Sequence, residues 1–156
     1  MIEDLGSFRI SAMRQRGSVA AVIRFIPADI PPLAGLGLPP VLARLALERR
    51  GLVLMVGATG SGKSTTLASM LDLRNEQLPG HILTIEDPIE YVFRNKRSVV
   101  NQREVGTDTE SLEVALRNGL RQAPDAILIG EIRDRATMSA AMAYARAGHQ
   151  VLATLH

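Results

Sequence analysis

The stretch LVLMVGATGSGKSTT, residues 52–66, decides the fold of this 156-residue chain. Its apolar start leads into a glycine-rich turn at residues 57–64, which matches the pattern G-x-x-x-x-G-K-[ST]. The residues that follow, 63–73, have the composition of a helix. An apolar strand, a glycine turn and a helix in this order are typical of the first unit of a parallel α/β sheet.

The glycine turn is suited to holding phosphate. Its glycines let successive backbone N–H groups point inward, and the N-terminus of the following helix adds a partial positive charge. The Lys63 side chain would reach the β- and γ-phosphates, and the Ser64 hydroxyl would bind Mg²⁺. A turn that binds nothing is the alternative, which the flanking strand and helix disfavour. The pattern therefore predicts a nucleotide site at Gly57, Ala58, Thr59, Gly60, Ser61, Gly62, Lys63, Ser64 and Thr65.

Short apolar runs alternate with helical stretches along the rest of the chain. The runs lie at residues 52–56, 82–85, 126–129 and 151–155, and the helical stretches at 63–73, 109–122 and 135–147. Strands that are apolar on both faces predict a mainly parallel sheet covered on both sides, hence an α/β fold. The sequence ends with the last run, so we expect an uncovered face or edge there and truncation at both ends.

The first 50 residues follow another pattern. Apolar runs at 8–13 and 19–25 flank a polar, glycine-containing turn, which predicts a β-hairpin that is marginal on its own. Five prolines between residues 27 and 40 predict a stiff linker that ends in a short helix. We therefore expect the end of an N-terminal domain at 1–26, a linker at 27–50 and a P-loop core at 51–156.

Composition limits the classes of function. The chain is 46% hydrophobic and 22% charged, which is globular, and its net charge is only +2. Aromatic residues make up 3%, with no tryptophan, so no nucleic-acid partner is expected. No run approaches the roughly 18 apolar residues of a membrane span. The absence of cysteine favours a reducing, cytoplasmic location.

Acidic residues follow two of the predicted strands. Glu131 comes just after the run at 126–129, with Gly130 where an aspartate usually precedes it, and Glu86, Asp87 and Glu90 follow the run at 82–85. Carboxylates at this edge of a parallel sheet would hold Mg²⁺ or orient water beside the phosphates. Helix caps and solvated loop charges are the alternatives, and Asp134 is most simply the N-cap of the next helix.

Two histidines and a group of arginines are weaker candidates. His149 and His156 bracket the last strand, and the residues alone favour structural roles, with His156 a weak candidate for sensing phosphate. The hairpin arginines, among them Arg9 and Arg24, are solvated charges by default. The alternative is that some of them reach a phosphate across a domain or subunit boundary, as an arginine finger does.

Five motifs in a fixed order carry a family resemblance. They are VGATGSGKSTT at 56–66, TIEDPIEY at 84–91, NQREVG at 101–106, ILIGEIRD at 127–134, and GH at 148–149 continuing to TLH at 154–156. Their order resembles the Walker A, the Asp box, the stretch after it, the Walker B and the His box of the type IV pilus retraction ATPases (the PilT/PilU family) within the wider secretion ATPases. The amino-acid sequence is more similar to that of the PilU type.

The resemblance implies a RecA-like P-loop core, with ATP and Mg²⁺ as ligands. Glu90 would activate water, Glu131 would act near Mg²⁺, and His149 and His156 would be nucleotide-site or coupling residues. Arg9 and Arg24, on the remnant of a PAS-like domain, would help close the site. The implied partners are a homo-hexamer, or a hetero-assembly with a related retraction ATPase, and the inner-membrane platform protein of the pilus machine, which the chain would meet from the cytoplasm.

Three rival functions share the phosphate loop. A truncated nucleotide-binding module would bind ATP without assembling or turning over. A small P-loop kinase would phosphorylate an acceptor, but the proline-rich linker and the hairpin give it little support. A hexameric helicase would show turnover stimulated by DNA. The motor ATPase accounts for all five motifs at once.

Overall fold

The computed structural model describes residues 6–26 and 29–155. Its elements, in chain order, are β1 (Ser7–Gln15), β2 (Ser18–Ile26), a 3₁₀ turn (Leu33–Leu36), α1 (Val41–Ala46), β3 (Gly51–Val56), α2 (Lys63–Gln77), β4 (Gly80–Glu86), β5 (Ser98–Glu104), α3 (Leu112–Gly119), a second 3₁₀ turn (Leu120–Gln122), β6 (Ala126–Ile132), α4 (Arg135–Arg146) and β7 (Gln150–Leu155). The predicted α/β fold is confirmed.

The main sheet has five strands, all parallel, in the order β3-β7-β6-β4-β5. Because parallel strands point the same way, their carboxyl ends meet at one edge of the sheet. The glycine turn after β3 and the acidic residues that end β4 and β6 therefore come together at that edge. None of the helices in the described ranges is long and apolar enough to cross a bilayer.

Both faces of the sheet are buried. Ile82 of β4 packs with Leu67 and Met70 of α2 on one face, while the next apolar positions, Leu83 and Ile85, pack on the other face. Helices α1 and α2 cover the first face, and α3 and α4 cover the second. This two-sided burial explains why the strands are nearly continuous apolar runs, as the sequence predicts.

The last strand, β7, lies between β3 and β6, and residues 150–154 are buried. The expectation of an uncovered edge at this strand is therefore wrong. The two edge strands are β5 and β3, and the side chains of β3 are half-buried up to its last residue, Val56, which is exposed. Strand β7 is central because the crossover through α4 places it beside β6 and because β3 pairs with its other side.

Two other expectations need correction. Strand β5 was not predicted, because this edge strand alternates polar with apolar residues and lacks the buried apolar run of the central strands. Helix α3 begins at Leu112 rather than near 109, since the Ser111 hydroxyl accepts a hydrogen bond from the Val114 N–H at 3.2 Å and caps the helix there. The predicted cap of α4 is confirmed, because the Asp134 carboxylate accepts the Thr137 N–H at 2.7 Å.

The predicted hairpin is confirmed as an antiparallel pair, β1 and β2, joined by a two-residue turn at Arg16 and Gly17 with positive φ at both residues. Its large apolar side chains are largely exposed: Phe8, Ile10, Ile23 and Phe25 range from 48% to 63%. These four residues form two directly opposed pairs and so share one face of the hairpin.

Candidate nucleotide-binding site

A cleft of about 450 Å³ lies at the carboxyl edge of the sheet. Its volume is in the range of small-molecule sites, roughly 300–1,000 Å³. Many of its lining residues were predicted as site residues from sequence: Thr59, Gly60, Gly62, Lys63, Ser64, Thr65, Glu86, Asp87, Glu90, Glu131 and Arg24. The structure thus brings together residues from the glycine turn, from the ends of β4 and β6, and from the hairpin.

The glycine turn and α2 form one wall of the cleft. Gly60 and Gly62 have φ values of +79° and +89°, a region that side-chain-bearing residues rarely adopt. Gly62 is the N-cap of α2 and supplies no capping side chain. The first N–H groups of α2, at Lys63 and Ser64, therefore lie where an anion would satisfy them.

Lys63 is only 9% exposed. Its Nζ donates hydrogen bonds to the carbonyl oxygens of Gly57 at 2.6 Å and Ala58 at 3.0 Å. Across residues 6–26 and 29–155, no ion pair with an acidic side chain involves Lys63. A buried ammonium group held only by neutral carbonyls is costly, and a bound anion would offset that cost.

Glu86 forms part of the floor of the cleft and is 7% exposed. Burial raises the pKa of this carboxyl above its ordinary value, while hydrogen bonds from Thr84, at 2.7 Å, and Gln102, at 3.2 Å, oppose the shift. Glu90 differs, because its side chain is exposed at the rim of the same cleft. The Glu86 carboxyl is therefore in a buried environment, whereas the Glu90 carboxyl is exposed to solvent.

Arg133, which the sequence analysis did not single out, joins two of the predicted acids. Its Nε donates to the Glu131 carboxylate at 2.6 Å, and its Nη1 lies 3.3 Å from the Asp87 carboxylate. The hydrogen bond and the charge of Glu131, followed by the charge of Asp87, raise the pKa of Arg133. The guanidinium thus ties the end of β4 to the end of β6. The ILIGEIRD stretch contained this signal, as the arginine follows Glu131 by two residues.

Gly130, which stands where an aspartate usually precedes the acid, packs closely against β4. A β-carbon there would lie 3.2 Å from the Cα of Glu86 and 3.4 Å from the carbonyl oxygen of Ile85. The Gly130 carbonyl accepts a hydrogen bond from the Thr154 hydroxyl of β7 at 2.5 Å. Three strands therefore close tightly around this glycine, and Glu131 is the acid that β6 offers to the cleft.

The hairpin brings two arginines to the site. Arg24 lines the cleft, and Arg9 lines an adjoining recess of about 180 Å³ together with Arg24, Glu90 and Tyr91. Arg9 and Arg24 are direct partners in the β1–β2 register, so their side chains share one face of the hairpin. Like charges that face each other in this way repel, and a shared anion would relieve the repulsion.

His149 is not brought to the cleft. His149 precedes β7 at the opposite edge of the sheet, where its Nδ1 lies 2.7 Å from the Pro124 carbonyl oxygen and its ring packs edge-on against Tyr144. A place in the nucleotide site of its own chain is therefore not found for His149, and a coupling role stays a prediction. His156 lies outside the described residues.

The structure adds residues that the sequence analysis missed. The Tyr91 hydroxyl lies 3.0 Å from the Thr65 hydroxyl and so links the segment after β4 to the phosphate loop. Gln102 contacts Glu86 from β5, and Thr154 lines the cleft from β7. Tyr91 and Gln102 stand inside the quoted motifs, but no pattern of spacing marks their contacts.

The residues of the cleft fit Mg²⁺. The Ser64 hydroxyl and the Glu131 carboxylate line the same cavity, and both offer the hard oxygen atoms that this ion prefers. The described residues contain no cluster of three His, Cys, Asp or Glu side chains placed to hold a metal. Mg²⁺ in nucleotide sites usually relies on one or two protein ligands together with water and phosphate oxygens.

Comparison with known proteins identifies relatives over nearly the whole chain. The chain is 57% identical over 152 residues to the type IV pilus ATPase PilU of Pseudomonas aeruginosa, covering 97% of this chain and 40% of that protein. It is 48% identical over 155 residues to the type IV pilus retraction ATPase PilT of the same organism, covering 99% and 45%. The chain thus spans less than half the length of these relatives. The predicted resemblance, including the greater likeness to the PilU type, is confirmed.

A solved structure agrees with these relatives. The crystal structure of the pilus retraction motor PilT with bound ADP superposes with a TM-score of 0.95 at 53% identity, covering 99% of this chain and 45% of that one. The family model described as type II/IV secretion system protein matches residues 3–156. This chain belongs to the family of type II/IV secretion system proteins.

Proposed function

We propose that this chain forms the ATP-binding and ATP-hydrolysing part of a motor subunit that drives type IV pilus retraction. The observation that carries the proposal is the buried Lys63 at the wall of a cleft rimmed by carboxylates. Within the part of the chain that the structure describes, the hydrogen-bond partners of its ammonium group are two backbone carbonyls. A triphosphate would give this cation an anionic partner. The relatives named as pilus ATPases support the same activity.

Phosphate binding is assigned to the glycine turn and the start of α2. Backbone N–H groups between Gly57 and Thr65 would surround the phosphate tail, and Lys63 would turn from the turn carbonyls toward the β- and γ-phosphates. Ser64 and Glu131 would hold Mg²⁺, Glu131 partly through water. When bound, Mg²⁺ would neutralise negative charge on the phosphate oxygens.

Hydrolysis is assigned to Glu90. Its exposed carboxylate at the rim of the cleft would accept a proton from a water molecule as that water attacks the γ-phosphorus and the bond to the β-phosphate oxygen breaks. Arg24 and Arg9 on the hairpin would stabilise the charge that develops on the phosphate oxygens. Their direct pairing in the β1–β2 register supports an anion between them.

The rest of the motor is also proposed. Residues 1–26 would end a PAS-like N-terminal domain, residues 27–50 would be the linker and residues 51–156 the P-loop core. The exposed apolar face of the hairpin supports the first assignment, because a two-stranded sheet needs a partner to be stable. The subunits would form a homo-hexameric ring, or a hetero-assembly with a related retraction ATPase, that meets the platform protein at the cytoplasmic side of the inner membrane. His149 and His156 would take part in coupling.

Phosphate release by the intact protein tests this function. We expect Mg²⁺-dependent release of phosphate from ATP by the wild type and its loss in Lys63→Ala. The matched control is Lys96→Ala, which removes an ion pair with Asp72 and Glu76 outside the cleft. Nucleotide binding without turnover, and without a change of size on adding ATP, would instead favour a module that only binds.

A further inference from the structure

The segment that carries Glu90 is held by side chains from outside it. Residues 87–97, here called the β4–β5 loop, contain no regular helix or strand. Glu104 of β5 accepts a hydrogen bond from the Ile89 N–H at 2.9 Å. The buried Asn75 of α2 donates to the Arg94 carbonyl at 2.8 Å and accepts the Lys96 N–H at 3.2 Å. The loop is therefore anchored near both ends.

Gln102 of β5 anchors the middle of the loop. Its Oε1 accepts the Phe93 N–H at 2.8 Å, and its Nε2 donates to the Tyr91 carbonyl oxygen, also at 2.8 Å. A backbone N–H only donates and a carbonyl oxygen only accepts, so these two partners fix which end of the amide carries the nitrogen. The orientation of the Gln102 side chain thus follows from the backbone it holds.

The same nitrogen reaches the floor of the cleft. Nε2 of Gln102 lies 3.2 Å from Oε1 of Glu86. The Thr84 hydroxyl donates to the same oxygen at 2.7 Å, and the Glu90 backbone near this carboxyl opposes the rise in its pKa. Through Gln102, Glu86 is therefore linked to the main chain at Tyr91 and Phe93, and Tyr91 directly follows Glu90 in the chain.

We propose that Gln102, acting with Glu86, is the positioning residue that fixes Glu90 relative to the phosphate loop. The inference rests on the proposed function, in which Glu90 accepts the proton of the attacking water. In this proposal Glu86 helps to orient the β4–β5 loop and does not contact the nucleotide directly. A displacement of about 1 Å at a catalytic group costs on the order of a hundredfold in rate, so this bridge matters for turnover.

The contacts of Gln102 separate it from the other anchors. Asn75 holds residues 94 and 96, beyond Glu90 along the chain. Glu104 is paired with Glu86 in the β4–β5 register and holds Ile89, but within the described residues its side chain makes no hydrogen bond to the Glu86 carboxylate. In the part of the chain that the structure describes, Gln102 is the side chain that hydrogen-bonds both to the loop backbone and to Glu86. Its loss would move Glu90 while the glycine turn keeps its shape.

Steady-state kinetics of the intact protein test the proposal. We expect Gln102→Ala to lower kcat for phosphate release about 10- to 100-fold, with the dissociation constant for ADP unchanged within about twofold. Hydrogen exchange at the Phe93 amide should become faster, since this N–H loses its acceptor. The matched control is Asn101→Ala, the neighbouring exposed residue on β5, whose Oδ1 contacts His81 away from the cleft.

A second variant keeps the test decisive. Gln102→Glu retains the side-chain shape and the acceptor for the Phe93 N–H but removes the donor to Tyr91 and Glu86. The same loss of kcat at unchanged ADP affinity is expected. This variant replaces Gln102→Ala if the latter does not fold. A kcat within about twofold of the wild type, or a parallel loss of kcat and ADP affinity, overturns the positioning role. Wild-type turnover is measured in the same assay. If the wild type hydrolyses ATP and the variant is unaffected, only the role of Gln102 is overturned. If the wild type is inactive, the proposed function is overturned together with the role of Gln102.

Discussion

A β-carbon on Gly130 would lie 3.2 Å from the Cα of Glu86, so β6 and β4 approach each other at the cleft more closely than most side-chain-bearing residues allow. Just beyond this point, the Glu131 and Glu86 side chains line the same cavity. The absence of a side chain at position 130 therefore helps to set the separation of the two acids.

Gly130→Ala is expected to lower the free energy of unfolding by about 1–3 kcal/mol, because backbone atoms on the neighbouring strand would have to shift. Urea denaturation measures this change. Gly35→Ala is the matched control, since a β-carbon there would meet Pro32 at an ordinary 3.6 Å. An unchanged unfolding midpoint in Gly130→Ala would show that the two strands accommodate the added methyl group without a loss of stability.

Arg24→Ala is expected to reduce kcat/KM for ATP about 10- to 100-fold, through loss of a charge-assisted hydrogen bond worth roughly 1.5–3 kcal/mol. Arg9→Ala should act in the same direction, because Arg9 stands opposite Arg24 on the same face. Steady-state phosphate release measures both. Arg14→Ala is the control, since Arg14 pairs with Val19 near the hairpin turn. Equal activity of Arg24→Ala and Arg14→Ala would contradict a role for this face.

Glu86 is expected to make stability depend on pH. Burial raises its folded-state pKa above the ordinary value, so the folded protein holds this proton over a pH range in which the unfolded chain has lost it. The stabilising contribution of Glu86 is therefore full below the unfolded pKa and is lost as pH rises through the folded pKa. Glu86→Gln removes this dependence.

Urea denaturation at about pH 5 and about pH 8 tests the prediction for Glu86. The stability of Glu86→Gln relative to the wild type should improve between the lower and the higher pH. Glu113→Gln is the control, because Glu113 is exposed in an ion pair with Arg117 on the surface of α3. A difference that stays constant with pH would mean that burial does not hold the proton on Glu86.

The sequence predicted the parts of the fold that depend on local pattern. The strand, glycine turn and helix at residues 52–73 follow from one short motif, and the central strands follow from apolar runs because both of their faces are buried. Strand β5 was not predicted because the prediction relied on continuous apolar runs, and this edge strand does not have one. The central place of β7 depends on the order of strands in the sheet, which no local pattern encodes.

Many residues that line the cleft were nominated from the sequence, and their roles stay predictions. Residue type and position after a strand were enough to nominate Lys63 and Glu131, because the carboxyl edge of a parallel sheet collects such residues. Gln102 and Arg133 were missed because their importance lies in contacts across the fold: Gln102 meets Tyr91 across 11 positions and Arg133 meets Asp87 across 46. Contacts of this kind become visible only when the strands are in register.

The central claim is that the glycine turn and Lys63 hold a triphosphate. A crystal structure of the intact protein with Mg²⁺ and a non-hydrolysable ATP analogue tests it most directly. The account predicts phosphate oxygens within hydrogen-bond distance of the backbone N–H groups of residues 60–64, with the Lys63 ammonium turned from the Gly57 and Ala58 carbonyls to the phosphates. An analogue bound elsewhere, with Lys63 still on those carbonyls, would contradict the account.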